Sequence, residues 1–315
     1  MIYNIINSNL IISKIKSFIN KQLQKKNGHI LAVNINSRVG FGANLEWCLE
    51  IFMHCELYKL TPYIKLTGNN YISPQRGDDY FEYFFKNPQL TKDDYKYIKN
   101  KIWMSKISHI NQLGLPENYD AKLTLTDAYK LINKYIRIKK DIVDEVDSFC
   151  KINFGYNVLG IHYRGTDKKG EAPRVDWKKV ERNVLHYLKR YPQTDSIFIS
   201  SDEIEFIKYF EGAIKKKNNF IAVRYRDDKY RSLDNRNIHH RHLGEDNYHK
   251  GRDALVNCLI LSRCNALMKT ASILSGWSKL FNPNLSVIML NKPNKDCLWF
   301  PEREIAKQTL YEAVD

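Results

Sequence analysis

The chain has 315 residues, 43% of them hydrophobic and 27% charged, which exceeds what one ordinary core holds and predicts two domains. Its 20 Tyr, 14 Phe and 5 Trp exclude a disordered chain. The formal net charge of +15 suits an anionic partner such as nucleic acid, a membrane surface or a phosphate-bearing substrate. The lysines are scattered, so a solvated surface explains that charge equally well.

The six cysteines (Cys48, Cys55, Cys150, Cys258, Cys264 and Cys297) form no C-x-x-C pair and sit mostly among apolar neighbours. That predicts reduced, buried thiols rather than a zinc site. No stretch approaches the roughly 20 apolar residues of a membrane span. The first 26 residues lack the regions of a signal peptide. Ile11, Ile12, Ile15, Phe18, Ile19 and Leu23 instead recur at helical spacing between lysines. This predicts an amphipathic basic helix that docks on the protein's own core or lies on an anionic membrane.

In chain order, residues 29–36 predict a buried strand that runs through SRVGFGAN into a helix over 44–60. A second strand is expected at 61–66 and a short one around 101–107, within a less regular stretch from 69 to 124. One long amphipathic helix is predicted from about 126 to 150, capped by Thr126 or Asp127.

From residue 158 the alternation becomes regular. Strands are expected at 158–163, 196–200, 218–225, 265–270 and 286–290. Helices fall between them, the first capped by Asp176. Short apolar strands separated by helices predict an α/β fold with a parallel sheet covered on both faces. In such folds the site lies beyond the strand C-termini. Polar clusters fall there: HYRGTDK after the first strand, SSDE after the second, and T-A-S after NALMK.

IHYRGTDKKGE, residues 161–171, is the densest of these. An arginine beside a glycine turn at a strand tip can grip a phosphate with its planar fork of donors. The same charges could equally pair with one another. Gly40 and Gly42 allow close backbone approach at a helix start, although a lone G-x-G is a weak signal and a tight turn also explains it. The stretch 224–251 is polar and histidine-rich, but the spacing of His239, His240, His242 and His249 fits no common zinc pattern. A loop closing over a ligand fits it better.

IHYRGTDK resembles the first signature of the fucosyltransferase superfamily, in the form carried by nodulation and core α1,6-fucosyltransferases. Ser200-Ser201-Asp202-Glu203 resembles the second signature, and residues 254–277 resemble the third, in the same order. GFGAN resembles the family's early glycine-rich loop, so the likeness spans most of residues 30–290.

The resemblance implies a GT-B architecture of two Rossmann-type domains facing a cleft. Residues 1–150 would be the acceptor side, 151–292 the nucleotide-sugar domain, and 293–315 a tail packing back on the body. It implies inverting transfer from a GDP-sugar, GDP-fucose above all, to a glycan hydroxyl. Arg164 would hold the β-phosphate leaving group in place of a metal, with no cofactor. The absence of any Asp-x-Asp from the sequence agrees with that. His162, Gly40, Gly42, Asp202, Asn257, Thr270, Ser272 and Ser275 would bind the donor. Glu171 would be the base and Lys168 would relay or orient, although Glu171 stands one residue nearer the D-K pair than in those relatives.

Two departures bear on the donor. Gly165 replaces the second arginine of the R-R pair, and Asn257 stands where an aspartate often reads the guanine edge. A GT-B transferase for another nucleotide sugar is therefore the alternative within enzymes. A basic nucleic-acid-binding protein is the alternative from another class. The transferase reading expects no nucleic-acid partner. Residence is expected to be cytoplasmic, with peripheral membrane contact through the basic N-terminal helix.

Overall fold

The structure, a computed structural model, describes residues 30–68, 70–87, 101–104, 123–165, 170–228 and 246–308. The N-terminal amphipathic segment, Thr166, Asp167, Lys168 and most of the 224–251 loop lie outside the described residues.

The first half is built on β1 (Ile30–Ile35), α1 (Phe41–Tyr58), β2 (Thr61–Leu66) and β4 (Lys101–Met104). The strands form a parallel sheet in the order β2-β1-β4. Between them come α2 (Phe81–Phe84) and β3 (Phe85–Lys86). The sequence places α1 at 44–60, but it begins as soon as Gly40 ends the extended chain, so Gly42 lies inside its first turn.

The single helix predicted over 126–150 is two. Thr124, not Thr126 or Asp127, caps α3 (Leu125–Tyr135), its Oγ1 accepting from the Asp127 N–H at 3.1 Å. The chain then leaves the helix at Ile136, and β5 (Arg137–Ile138) pairs antiparallel with β3. The Lys139 N–H donates to the Phe84 carbonyl, and α4 (Lys140–Asn153) follows. The helical periodicity runs through this break because the pairing partner lies about fifty residues upstream, beyond any local pattern.

The second half follows the expected alternation closely: β6 (Val158–Tyr163), α5 (Trp177–Arg190), β7 (Ser196–Ser201), α6 (Ile204–Lys217), β8 (Ala222–Arg224), α7 (Tyr248–Ser262), β9 (Ala266–Lys269), α8 (Ile273–Phe281) and β10 (Ser286–Met289). Asp176 caps α5 as predicted, accepting from the Lys178 N–H at 2.8 Å. The five parallel strands lie in the order β10-β9-β6-β7-β8. A short terminal helix, α9 (Glu302–Gln308), closes the described chain.

Both faces of this sheet are covered. Leu159, Ile161 and Tyr163 pack with Val180 and Val184 of α5 and with Phe206 and Phe210 of α6. The other face meets α7 and α8, and its apolar cluster runs on into the first half through Phe41, Leu45 and Phe52. The two halves thus share one continuous core. All six cysteines are free thiols, four of them buried and Cys150 and Cys297 half-buried. Among the described residues, no helix is long and apolar enough to cross a membrane.

Candidate functional site

Alternation along β6 decides which side chains face the site. Tyr163 turns to the α5–α6 side, where its hydroxyl donates to the Val175 carbonyl at 2.8 Å. Gly160 and His162 turn to the α7 side. A Cβ at Gly160 would stand 3.1 Å from Leu261 and 3.0 Å from Cys264, both at the C-terminal end of the α7 hairpin into β9. The register pairs His162 with Ser200 on one side and with Lys269 on the other. Three polar residues therefore line one face of adjacent strands at their C-terminal ends.

The loops beyond are tied together through the backbone. The Thr270 N–H donates to the His162 carbonyl at 3.0 Å, and Thr270 Oγ1 accepts from the Arg164 N–H at 2.8 Å. Asp202 Oδ1 accepts from the Gly165 N–H at 3.3 Å. These bonds fix the start of the loop that carries the half-buried Arg164.

The departure at Gly165 has a packing reason. A Cβ there would overlap the Glu203 carboxylate and come within 2.8 Å of Tyr163 Cε1. Glu203 is buried and receives Arg174 at 3.2 and 3.3 Å. Burial lifts its pKa, and Arg174 opposes that shift.

Thr270, Ser272 and Ser275 all lie at the start of α8, and all are buried. Ser272 is the N-cap residue but makes no side-chain cap bond, and Ser275 Oγ donates to the Ser272 carbonyl at 3.2 Å. Gly42 reaches this turn from the other half. Its carbonyl accepts from Trp277 Nε1 at 3.1 Å, and a Cβ would stand 3.1 Å from the Leu274 nitrogen. The glycine permits two helix N-termini to meet here, which brings GFGAN to the T-A-S corner.

On the α7 wall, Asn257 lies one helical turn before Leu261. Its Nδ2 donates to Asp228 Oδ2 at 2.7 Å. Asp228 in turn receives Arg226 at 2.9 Å, and Arg226 also pairs with Glu145 at 2.8 Å and Asp253 at 3.5 Å. Arg226 and Asp228, read in the sequence as the start of a closing loop, are here part of a half-buried ionic wall.

Two buried atoms in this layer have no hydrogen-bond partner: His162 Nδ1 and Asn257 Oδ1. Such atoms are rare in native structures and call for an explanation. Burial, with Lys269 and Arg164 adding to it, holds the His162 pKa well below the ordinary range, so the imidazole is neutral.

Glu171 is half-buried, and its carbonyl accepts from the Asn294 N–H at 2.8 Å. The sequence reading missed Lys269 and Glu302. Lys269 is wholly buried and its ammonium donates to both oxygens of Glu302 at 2.7 Å. Glu302 Oε2 also accepts from the Ser272 N–H at 3.3 Å. A lysine ending an apolar strand was the visible signal, but its partner 33 residues on was not.

No family model matches the chain, and no curated relative does. Solved structures do. POFUT1 in complex with GDP superimposes with a TM-score of 0.51 at 11% identity, covering 84% of this chain and 98% of that one. A variant of FUT1 from Arabidopsis thaliana, also with GDP, gives a TM-score of 0.53 at 11% identity, covering 90% and 76%. The chain has a fucosyltransferase fold. Fucosyltransferase NodZ from Bradyrhizobium covers 81% of this chain and 94% of its own at 12% identity, with a TM-score of 0.47. Within the fucosyltransferase fold, the strand-end layer of His162, Ser200 and Lys269 belongs to the C-terminal sheet, and GFGAN belongs to the other half.

Proposed function

We propose that the chain is an inverting, metal-independent fucosyltransferase that moves fucose from GDP-fucose to a glycan hydroxyl. The observation that carries this reading is the strand-end layer itself. A neutral buried imidazole on β6 and an unpaired amide oxygen on α7 accompany Arg164, whose N–H donates to Thr270 just before the N-terminus of α8. A helix start and a guanidinium are complementary to a diphosphate. The two neighbours with this fold that superimpose best above carry GDP in their structures.

In the proposed reaction Arg164 stabilises charge as the bond between the anomeric carbon and the β-phosphate oxygen breaks and GDP departs. The acceptor oxygen forms the new bond on the opposite face and its proton passes to Glu171. Lys168 would orient or relay. Asn257 would read the base. One Nδ2 hydrogen goes to Asp228, which fixes the amide's orientation and leaves Oδ1 as an acceptor that suits the N–H donors of a guanine edge. His162, Asp202, Thr270, Ser272 and Ser275 would complete the donor site, with Gly40 and Gly42 closing it from the other half. Peripheral membrane contact through the basic N-terminal segment belongs to the same proposal.

A thermal-shift panel of GDP, GDP-fucose, UDP and ADP, with and without EDTA, tests the reading. GDP ligands should raise the melting temperature, most of all GDP-fucose, and EDTA should not alter the shift. Arg164→Ala should abolish it. A response to UDP alone would favour the other-donor reading. No nucleotide response, together with salt-sensitive binding of nucleic acid, would favour the binding-protein reading.

A further inference from the structure

The strip of chain between β10 and α9 touches both walls of the candidate site. Asn291 Oδ1 accepts from the Ala271 N–H at 2.7 Å, in the turn that leads into α8. The other end of the same amide, Nδ2, donates to the Pro173 carbonyl at 2.7 Å. Three residues on, the Asn294 N–H donates to the Glu171 carbonyl at 2.8 Å, and its Nδ2 donates to the Gly170 carbonyl at 3.0 Å. At the far end of the strip, Glu302 receives Lys269 and the Ser272 N–H.

The segment that carries Glu171 is tied to β6 at its later end, where the Tyr163 hydroxyl donates to the Val175 carbonyl. Residues 170–173, which form no helix or strand, receive three side-chain or backbone donors from one strip. An amide carries its acceptor and its donors on separate atoms, so it can accept from Ala271 and donate to Pro173 at once. Resting on the reading of Glu171 as base, we infer that Asn291 and Asn294 are positioning residues that set the Glu171 loop at a fixed distance from the donor wall at the start of α8. Their role requires no contact with substrate. Their effect passes through the backbone of residues 170–173.

The chemistry tells the two links apart. Asn291→Asp keeps an oxygen for the Ala271 N–H but sets a carboxylate against the Pro173 carbonyl, which releases the base loop and spares the donor wall. Asn294→Pro removes both donors to residues 170 and 171, and the native φ of −60° already suits proline.

The test measures GDP release from GDP-fucose with water as acceptor, for both variants, the double variant and Glu171→Gln. The expected result is a loss of kcat in each single variant of about tenfold to hundredfold, the scale of a base misplaced by about an ångström. KM for GDP-fucose and the melting temperature should stay near wild type, and the double variant should approach Glu171→Gln. Unchanged kcat in both single variants, with Glu171→Gln inactive, overturns the positioning role. A parallel fall in melting temperature and rise in KM overturns it too, because the strip would then only stabilise the fold. Normal turnover in Glu171→Gln instead removes the base assignment itself, an outcome distinct from either.

Discussion

Lys269, with no exposed surface, gives its ammonium to both carboxylate oxygens of Glu302 across the gap between β9 and α9. The pair lies beneath the turn that starts α8, and Glu302 also holds the Ser272 N–H. Burial pulls the Lys269 pKa down and the glutamate opposes it. Removing one partner leaves an uncompensated charge in the core, so Lys269→Met should cost about 3–5 kcal/mol of stability. Lys269→Met with Glu302→Leu should recover most of that loss in a chemical-denaturation experiment. Equal losses in the single and double variants would show that the packing there, not the charge, governs stability.

Restoring the second arginine of the signature should harm this chain. Gly165→Arg places a side chain where the Glu203 carboxylate sits, so it must displace the Arg174–Glu203 pair. The expected outcome is a lower melting temperature without tighter GDP binding, measured by thermal shift and calorimetry. Tighter binding with unchanged stability would show that Glu203 yields freely.

Asn257 offers a test of base selectivity. With the amide oriented by the Nδ2 bond to Asp228, its Oδ1 acceptor should favour guanine over adenine. Asn257→Leu should weaken GDP by roughly tenfold or more and leave ADP nearly unaffected, the loss expected when a site built to bond a donor loses its acceptor. Competition binding of the two nucleotides decides it, and equal weakening of both would remove the selectivity role.

Acid should destabilise the fold through its buried histidines. His162 and His54 are both buried and both hold pKa values below the ordinary histidine value of 6.5, that of His54 at about 4. For groups depressed in the folded state, the unfolded chain binds protons first. Their contribution is therefore present above about pH 6.5 and is lost as pH falls through the folded values. The melting temperature should decline from pH 7 toward pH 4.5, and the slope should flatten in His54→Gln. An unchanged slope would assign the acid sensitivity elsewhere.

Asp79 acts in the opposite sense. Burial lifts its pKa to about 6, and its Oδ1 accepts from the Leu66 and Phe81 N–H groups at 3.0 Å each. A carboxyl raised in the folded state contributes stability present below its unfolded pKa and lost as pH rises through about 6. Asp79→Asn retains an acceptor and should raise the melting temperature more at pH 8 than at pH 5. A gain equal at both values would point to packing instead of titration.

By itself the sequence determined what depends on near neighbours. The period of apolar residues set the strands and helices of the second half, Asp176 announced its own cap, and the polar runs HYRG, SSDE and T-A-S marked the strand ends. Only the tertiary structure decided what joins residues far apart. It broke the helix at Ile136 by pairing β5 with β3, placed Gly42 against α8, and gave Lys269 its partner in Glu302. It also tied the Asn257 amide to Asp228 and laid the Asn291–Asn294 strip beside Glu171. Periodicity is a property of adjacent turns and pleats, whereas a bond between distant residues exists only once the whole core has fixed where each backbone runs.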